Sequence, residues 1–225
     1  MLNPRYAGIM PFPNPKGMNR MSFGTEGQLV RAALGSEWCN LSDKTQKRFE
    51  TDPDTPVEYS GVMSEISASF VGKLFALMGR LFGSPLLLHS GIDVPIEVIV
   101  YKKPKCADIF KGRTYYFPNR SPVVVETRMH LTTDGSFIEY AGLGLGMRMK
   151  LNARNGMLYF YGQQYVLNIG IGLLPIPAWL SPGIAVIEHS DYGANQFRVR
   201  IEMRHPWFGL TFVQDGVFQE KTRND

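Results

Sequence analysis

The chain has 225 residues, is 44% hydrophobic and 20% charged, and carries 24 basic against 20 acidic side chains. That balance excludes an unfolded chain and fits one large domain or two small ones. The net charge of +4 brings no nucleic-acid footprint, because the densest basic cluster, Lys102, Lys103 and Lys105, is short and broken by Pro104.

Cys39 and Cys106 lack CxxC or Cys/His spacing, so neither a zinc site nor a redox motif is expected; the pair could form one disulfide, and the plainer reading is two buried free thiols in a reducing compartment. Met1 to Pro15 lacks the charged start and continuous apolar stretch of a signal peptide. A spanning helix needs roughly 18 uncharged apolar residues, and the best stretch, Ile66 to Leu88, contains Lys73 and Arg80. The expected location is cytoplasmic, with no transmembrane span.

Residues 1–23 read as an irregular leader, since Pro4, Pro11, Pro13 and Pro15 forbid a helix. Residues 24–225 read as a single domain. Thr25 and Gln28 have capping-box spacing ahead of Leu29, Val30, Ala33 and Leu34, and Gly35 ends that short helix. Ser42 caps a second, to Phe49, and Asp52 to Pro56 is a loop. Val57 to Ser67 alternates as an extended segment. The spacing of Ile66, Phe70, Leu74, Met78 and Phe82 then predicts one long amphipathic helix, with Ser69, Lys73, Ala76 and Arg80 as its opposite stripe and Gly83-Ser84-Pro85 as its stop.

From Val94 onward the period is two. Strands are expected around Val94–Val100, Tyr115–Phe117, Val123–Leu131, Phe137–Ala141, Met147–Asn152, Met157–Ile169, Ile184–Glu188, Gln196–Arg204 and Leu210–Phe218. Thr133-Asp134-Gly135 and Asn155-Gly156 read as turns. Tight turns between so many strands imply an antiparallel meander. The expected fold is α+β: a strongly bent antiparallel sheet, a half-barrel or barrel-like meander, packed around the long helix, with short N-terminal helices beside it. Glu126, Arg128, His130, Arg148, Lys150, Arg198, Arg200 and Glu202 would lie on its wet face. Gly142, Gly144 and Gly146 would lie on one strand face and let the helix approach.

Several motifs follow one another along the chain: Leu34-Gly35, Tyr59-Ser60-Gly61-Val62-Met63, Arg113 within Phe110–Phe117, Leu174 to Pro182, Glu188, His205-Pro206-Trp207-Phe208-Gly209-Leu210 and Asp215-Gly216. Their order, over roughly residues 28–218, resembles an uncharacterised bacterial family, domain of unknown function 4166. Where the family pattern has a tryptophan ahead of the arginine, this chain has Phe110. The resemblance implies no established activity. It implies members that occur alone or fused to dehydrogenase-like domains, hence an oxidoreductase partner. The chain itself has no GxGxxG after a strand.

Arg113 stands among Phe110, Tyr115, Tyr116 and Phe117, and a buried arginine needs a carboxylate or an anionic ligand. Glu188, after the apolar run Ile184–Ile187, is the expected partner. The proline-rich apolar segment Gly172–Pro182, with Trp179, reads as a lid or a plug. Phe70 and Leu74 would line any cavity from the helix side. Arg113, Tyr115, Glu188, Trp179, Phe70 and Leu74 are thus the candidate ligand-binding residues. No residue is assigned to catalysis, a cofactor or a metal: GxSxG, HExxH and P-loop patterns are missing, and Glu188 and His189 point to opposite faces of a strand. Three readings follow: a binding module for a hydrophobic or lipid-like small molecule, an enzyme or oxidoreductase-associated accessory domain acting on a hydrophobic carboxylate, and a membrane-surface interaction protein.

Overall fold

The computed structural model of the protein describes residues 25–50, 55–83, 87–103, 106, 108–132 and 136–221. The leader 1–23, most of the loop 52–56, the helix stop at Ser84-Pro85, Lys105 and the Thr133–Gly135 turn lie outside them. Two short helices come first, α1 (Glu26–Leu34) and α2 (Asp43–Phe49). Thr25 and Ser42 cap them, their side chains accepting from the amides of Gln28 and Thr45. After β1 (Val57–Ala68) comes α3 (Phe70–Gly79), capped by Ser69.

The remaining strands are β2 (Val94–Lys102), β3 (Ile109–Tyr115), β4 (Val123–Leu131), β5 (Phe137–Ala141), β6 (Leu145–Arg154), β7 (Met157–Asn168), β8 (Leu173–Ile176), β9 (Ile184–Tyr192), β10 (Gln196–His205) and β11 (Gly209–Glu220). Each pairs antiparallel with its sequence neighbour, except that β7 pairs with β9 through Leu158–Tyr161 and with β8 through Tyr165–Asn168. β1 then pairs with β11, Tyr59 opposite Glu220 and Ala68 opposite Phe212. That pairing closes ten strands into a ring, and β8 alone is an edge outside it. Closure leaves no long edge to aggregate. Pro175 sits in β8, where a missing amide costs no second ladder.

This corrects the α+β expectation. The sheet is a closed barrel, not a half-barrel around a helix, and no long helix fills it. Ile66 belongs to β1, and the helix starts four residues later. Its orientation is also the reverse of that expected. Gly72 and Ala76, small and buried, face the barrel end, while Phe70, Leu74, Leu77 and Leu81 face out. A Cβ on Gly72 would collide with the Thr211 carbonyl oxygen, so only a small residue lets the helix sit there. A ten-strand barrel is wider than the eight-strand size that side chains alone fill, so the centre stays partly open without a helix.

The two ends differ. α1, α2 and the β6–β7 turn close one end, where the Ser42 amide donates to the Gly156 carbonyl at 3.1 Å. At the other end stand α3, the β3–β4 and β5–β6 turns, the β7–β9 connection carrying β8, and the β10–β11 turn. Gly142 and Gly144, at φ 82° and 88°, shape the β5–β6 turn and are not part of a strand. Among the described residues no helix is long and apolar enough to cross a membrane.

The outer wall only partly matches the expected wet face. Arg198 and Arg200 from β10 grip the buried Asp215 of β11, and Arg200 and Arg204 grip Glu202, so the arginines of this ladder are solvated while its central carboxylate is not. Glu126, Arg128 and His130 on β4 are buried instead. Tyr101 and Lys103 hydrogen-bond Glu126, while Arg128 and His130 share Asp108 at 3.2 and 2.8 Å. Aromatic neighbours cover them, with Tyr101 stacked on Phe110 and Tyr140 under Arg128. Both cysteines are free, and neither is buried as expected: Cys39 is exposed and Cys106 half-buried.

Candidate ligand cavity

Inward side chains alternate along every strand, so the period of two places Lys111, Arg113 and Tyr115 of β3 on the inner face together. β5 contributes Glu139, β11 Gln214, and β9 Ile187 and His189. These residues divide the interior. Above them, toward α3, lies a compartment of about 550 Å³ walled by Met147, Tyr165, Leu167, Ile201, Met203 and Phe212 among others. Below them, toward α1 and α2, lies one of about 90 Å³ that includes Glu26, Arg48, Tyr59 and His189. Arg113, Tyr115, Glu139, Ile187, Ile201 and Gln214 line both.

The belt is hydrogen-bonded across strands. Arg113 Nη1 donates to Thr127 Oγ1 at 3.0 Å and Nη2 to Glu139 Oε1 at 3.2 Å. Tyr115 Oη donates to Gln214 Oε1 at 3.0 Å. Among the described residues, two of the five guanidinium donors are thus used. The Arg113 and Glu139 side chains keep 19% and 15% of their exposure, and that surface faces the cavity. Burial would raise the Glu139 carboxyl, but Arg113, Lys111 and the Thr127 hydroxyl outweigh it and hold it below the usual carboxylate range. Arg113 stays protonated: burial pulls its pKa down, but Glu139, Tyr115 and Glu26 together outweigh burial and raise it.

The small compartment adds an asymmetry. Lys111 pairs with Glu26, as Arg113 pairs with Glu139. Among the described residues Arg48 has no such inward partner: its guanidinium lies 4.0 Å from the centroid of the Phe197 ring, and its Nη2 makes no hydrogen bond to them. Asp191 attracts it from outside the compartment, where it accepts from Ser42 and Thr45. The lining therefore carries three cations against two carboxylates.

His189 sits among Phe160 and Phe197, 5.4 and 6.4 Å away between ring centroids, with Nδ1 unpartnered among the described residues. Burial first, then Arg48, Lys111 and Arg113, push its pKa well below the ordinary value, so the ring is neutral at pH 7. A base depressed in the fold binds protons better when unfolded, so it costs stability as pH falls below the unfolded value of about 6.5. His189→Phe is expected to flatten the loss of stability between about pH 6.5 and 5, a window above the ordinary carboxylate pKa values. Denaturant titrations of both proteins across that window check it, and an unchanged slope would place the proton elsewhere.

Of the residues singled out by sequence, Arg113 and Tyr115 line the cavity. Glu188 does not. It sits between Ile187 and His189, which point inward, so its own side chain lies on the other face, and Glu139 is the carboxylate beside Arg113. Phe70 and Leu74 are exposed on α3, and Phe75 and Met78 reach the cavity from that helix instead. Trp179 lies at the mouth, stacked 6.3 Å from Trp207, beside the lining residue Leu180. His205 fastens this edge. Its Nδ1 accepts from the amides of Trp207 and Phe208, which leaves Nε2–H to donate to the Trp179 carbonyl at 3.2 Å. The Gly172–Pro182 segment thus flanks the opening, with Leu174, Ile176 and Leu180 in its wall. Among the described residues no group of three or more His, Cys, Asp or Glu side chains could hold a metal ion.

A family model described as Domain of unknown function (DUF4166) matches residues 41–218. The chain belongs to this family. The matched span includes the strands of the barrel ring, except the last two residues of β11, and all the belt residues of this DUF4166 protein. The chain is also similar to an uncharacterised protein, YndH, of Bacillus subtilis (strain 168), at 24% identity over 191 residues that cover 81% of this chain and 92% of that one. No solved structure matches it.

Proposed function

We propose that the barrel is a binding module for a hydrophobic or lipid-like small molecule that carries one anionic end. The observation behind this reading is the apolar compartment of about 550 Å³, which reaches the surface at the α3 end through Met78, Leu174 and Leu180. Such a volume lies within the usual range for ligand sites, about 300–1,000 Å³. Its methionines suit an adaptable fit to a flexible chain. At its floor Arg113 has donors to spare, and the lining below has one more cation than carboxylates. An entering carboxylate would meet a charge-assisted donor and restore that balance.

The test pairs palmitic acid with hexadecanol, which share the chain and differ at the head. Calorimetric titration of the full chain is expected to show the acid binding at least about tenfold tighter, a difference of about 1.4 kcal/mol. Native mass spectrometry of the protein as purified should show an adduct that denaturation removes. Neither probe saturating the protein would overturn the reading, and equal affinity would remove the anionic end from it.

A further inference from the structure

Large apolar side chains are spread over this barrel unevenly. Among the described residues, all the exposed ones except Val62, Val186 and Tyr192 stand at the end where the cavity opens. They come from separate segments: α3 and the turn that follows it, Ile92 before β2, the β5–β6 turn, the β7–β9 connection, and the β10–β11 turn. The most prominent are Phe70, Leu81 and Ile171, at 84%, 81% and 88% exposure. Single exposed apolar residues are ordinary, but a ring of them around an opening marks an interaction site.

α3 shows that this exposure is built into the packing. Its small residues Gly72 and Ala76 take the inward positions, which leaves Phe70, Leu74, Leu77 and Leu81 outside in one stripe. Lys73 and Arg80 are exposed in the same stripe. Arg120, in the β3–β4 turn, is exposed at the same end and acts with Arg80 on His89. Across the rim segments these three cations face a single carboxylate, Asp93. Apolar side chains interleaved with cations on long stems are what a surface helix at a bilayer presents. The stacked pair Trp179 and Trp207 adds two indoles, which favour the head-group level of a bilayer.

We propose that the cavity mouth is a docking surface for a lipid bilayer carrying anionic head groups, with Phe70, Leu77, Leu81 and Ile171 entering the acyl boundary and Lys73, Arg80 and Arg120 held at the head groups. A fluid bilayer suits this surface better than a folded partner. The apolar groups rise from separate loops around a hole, and a rigid partner would leave that hole unfilled, whereas acyl chains can enter it. The docking stands without the ligand reading. Only its corollary rests on that reading: an apolar ligand would pass between bilayer and cavity without crossing water.

Co-sedimentation of the full chain with phosphatidylcholine vesicles, with and without phosphatidylglycerol, tests the docking. The protein is expected to pellet with the anionic vesicles and to shift its tryptophan emission to the blue. Binding should fall at least about tenfold at high salt, where exposed charges are screened. Leu77→Ser/Leu81→Ser and Lys73→Glu/Arg80→Glu should each lower it by about the same factor. Leu77 and Leu81 lie outside the cavity lining, so the first variant should still bind palmitic acid in vesicle-free solution. The docking and ligand readings therefore fail separately. Absence of binding to either vesicle would overturn the docking. So would concentration-dependent self-association in ultracentrifugation that Leu81→Ser removes, because the rim would then be a contact between copies of the chain.

Discussion

Leu167→Trp combined with Val125→Phe is expected to abolish uptake of palmitic acid while the barrel stays folded. Both positions line the large compartment. The added rings have an open space to enter, so the strain of overpacking that usually costs about 1–3 kcal/mol is largely avoided. Binding is lost because the ligand's chain loses its place. Each methylene kept in water forfeits about 0.8 kcal/mol, so four excluded methylenes cost about 3 kcal/mol, more than a hundredfold in Kd. Calorimetric titration together with thermal melting reads both parts. Unchanged affinity in a folded variant would place the ligand on the outer surface.

Glu139→Ala is expected to be among the most destabilising single changes in the wall. It leaves the Arg113 guanidinium in the interior with Thr127 as its remaining hydrogen-bond partner among the described residues. Stranding one member of a buried ion pair costs about 3–5 kcal/mol, a large part of the stability of an ordinary domain. The double change Arg113→Met/Glu139→Leu removes both charges and should recover most of that loss. It should also lose the preference for palmitic acid over hexadecanol, because the donor at the cavity floor is gone. Urea denaturation of the three proteins separates the cases. The same pair has a pH signature. Glu139 is held below the ordinary carboxylate range, so its contribution is present above the unfolded pKa of about 4.3 and is lost as pH falls through the lower folded value. A single variant as stable as the parent would mean that Arg113 reaches solvent.

Much of the wall was legible because its signals are local. Phe137–Ala141 is a strand at the expected residues, and the Asn155-Gly156 turn joins β6 to β7. The caps at Thr25 and Ser42 hold as well. Glu139 was missed although a signal existed. It alternates with Phe137 and Ala141 on the face that lines the interior, whereas Glu188 has the opposite parity to Ala185 and Ile187. Weighing parity along each strand would have preferred Glu139 as the partner of Arg113.

The helix was misread for a different reason. Periodicity identifies a stripe of large apolar residues on α3, but it cannot tell whether a core or the outside receives it. What decided was the fit of Gly72 against Thr211 at the start of β11, more than a hundred residues away in the chain, with Ala76 buried on the same side of the helix. Burial of Glu126, Arg128 and His130 likewise depends on Asp108, Tyr101 and Tyr140 from neighbouring strands and turns.

By itself, then, the sequence determined most of the strands, the Asn155-Gly156 turn and the helix caps, because each depends on a few adjacent residues and a fixed backbone period, whereas the strand expected at Tyr115–Phe117 lies at Ile109–Tyr115 and β8 falls in the segment read as a lid or plug. Only the tertiary structure decided that the sheet closes, that its centre stays open, and that the apolar face of α3 turns outward. Those outcomes depend on the pairing of β1 with β11 and of β7 with β9. Both are contacts between distant segments, whose geometry no local pattern of residues encodes.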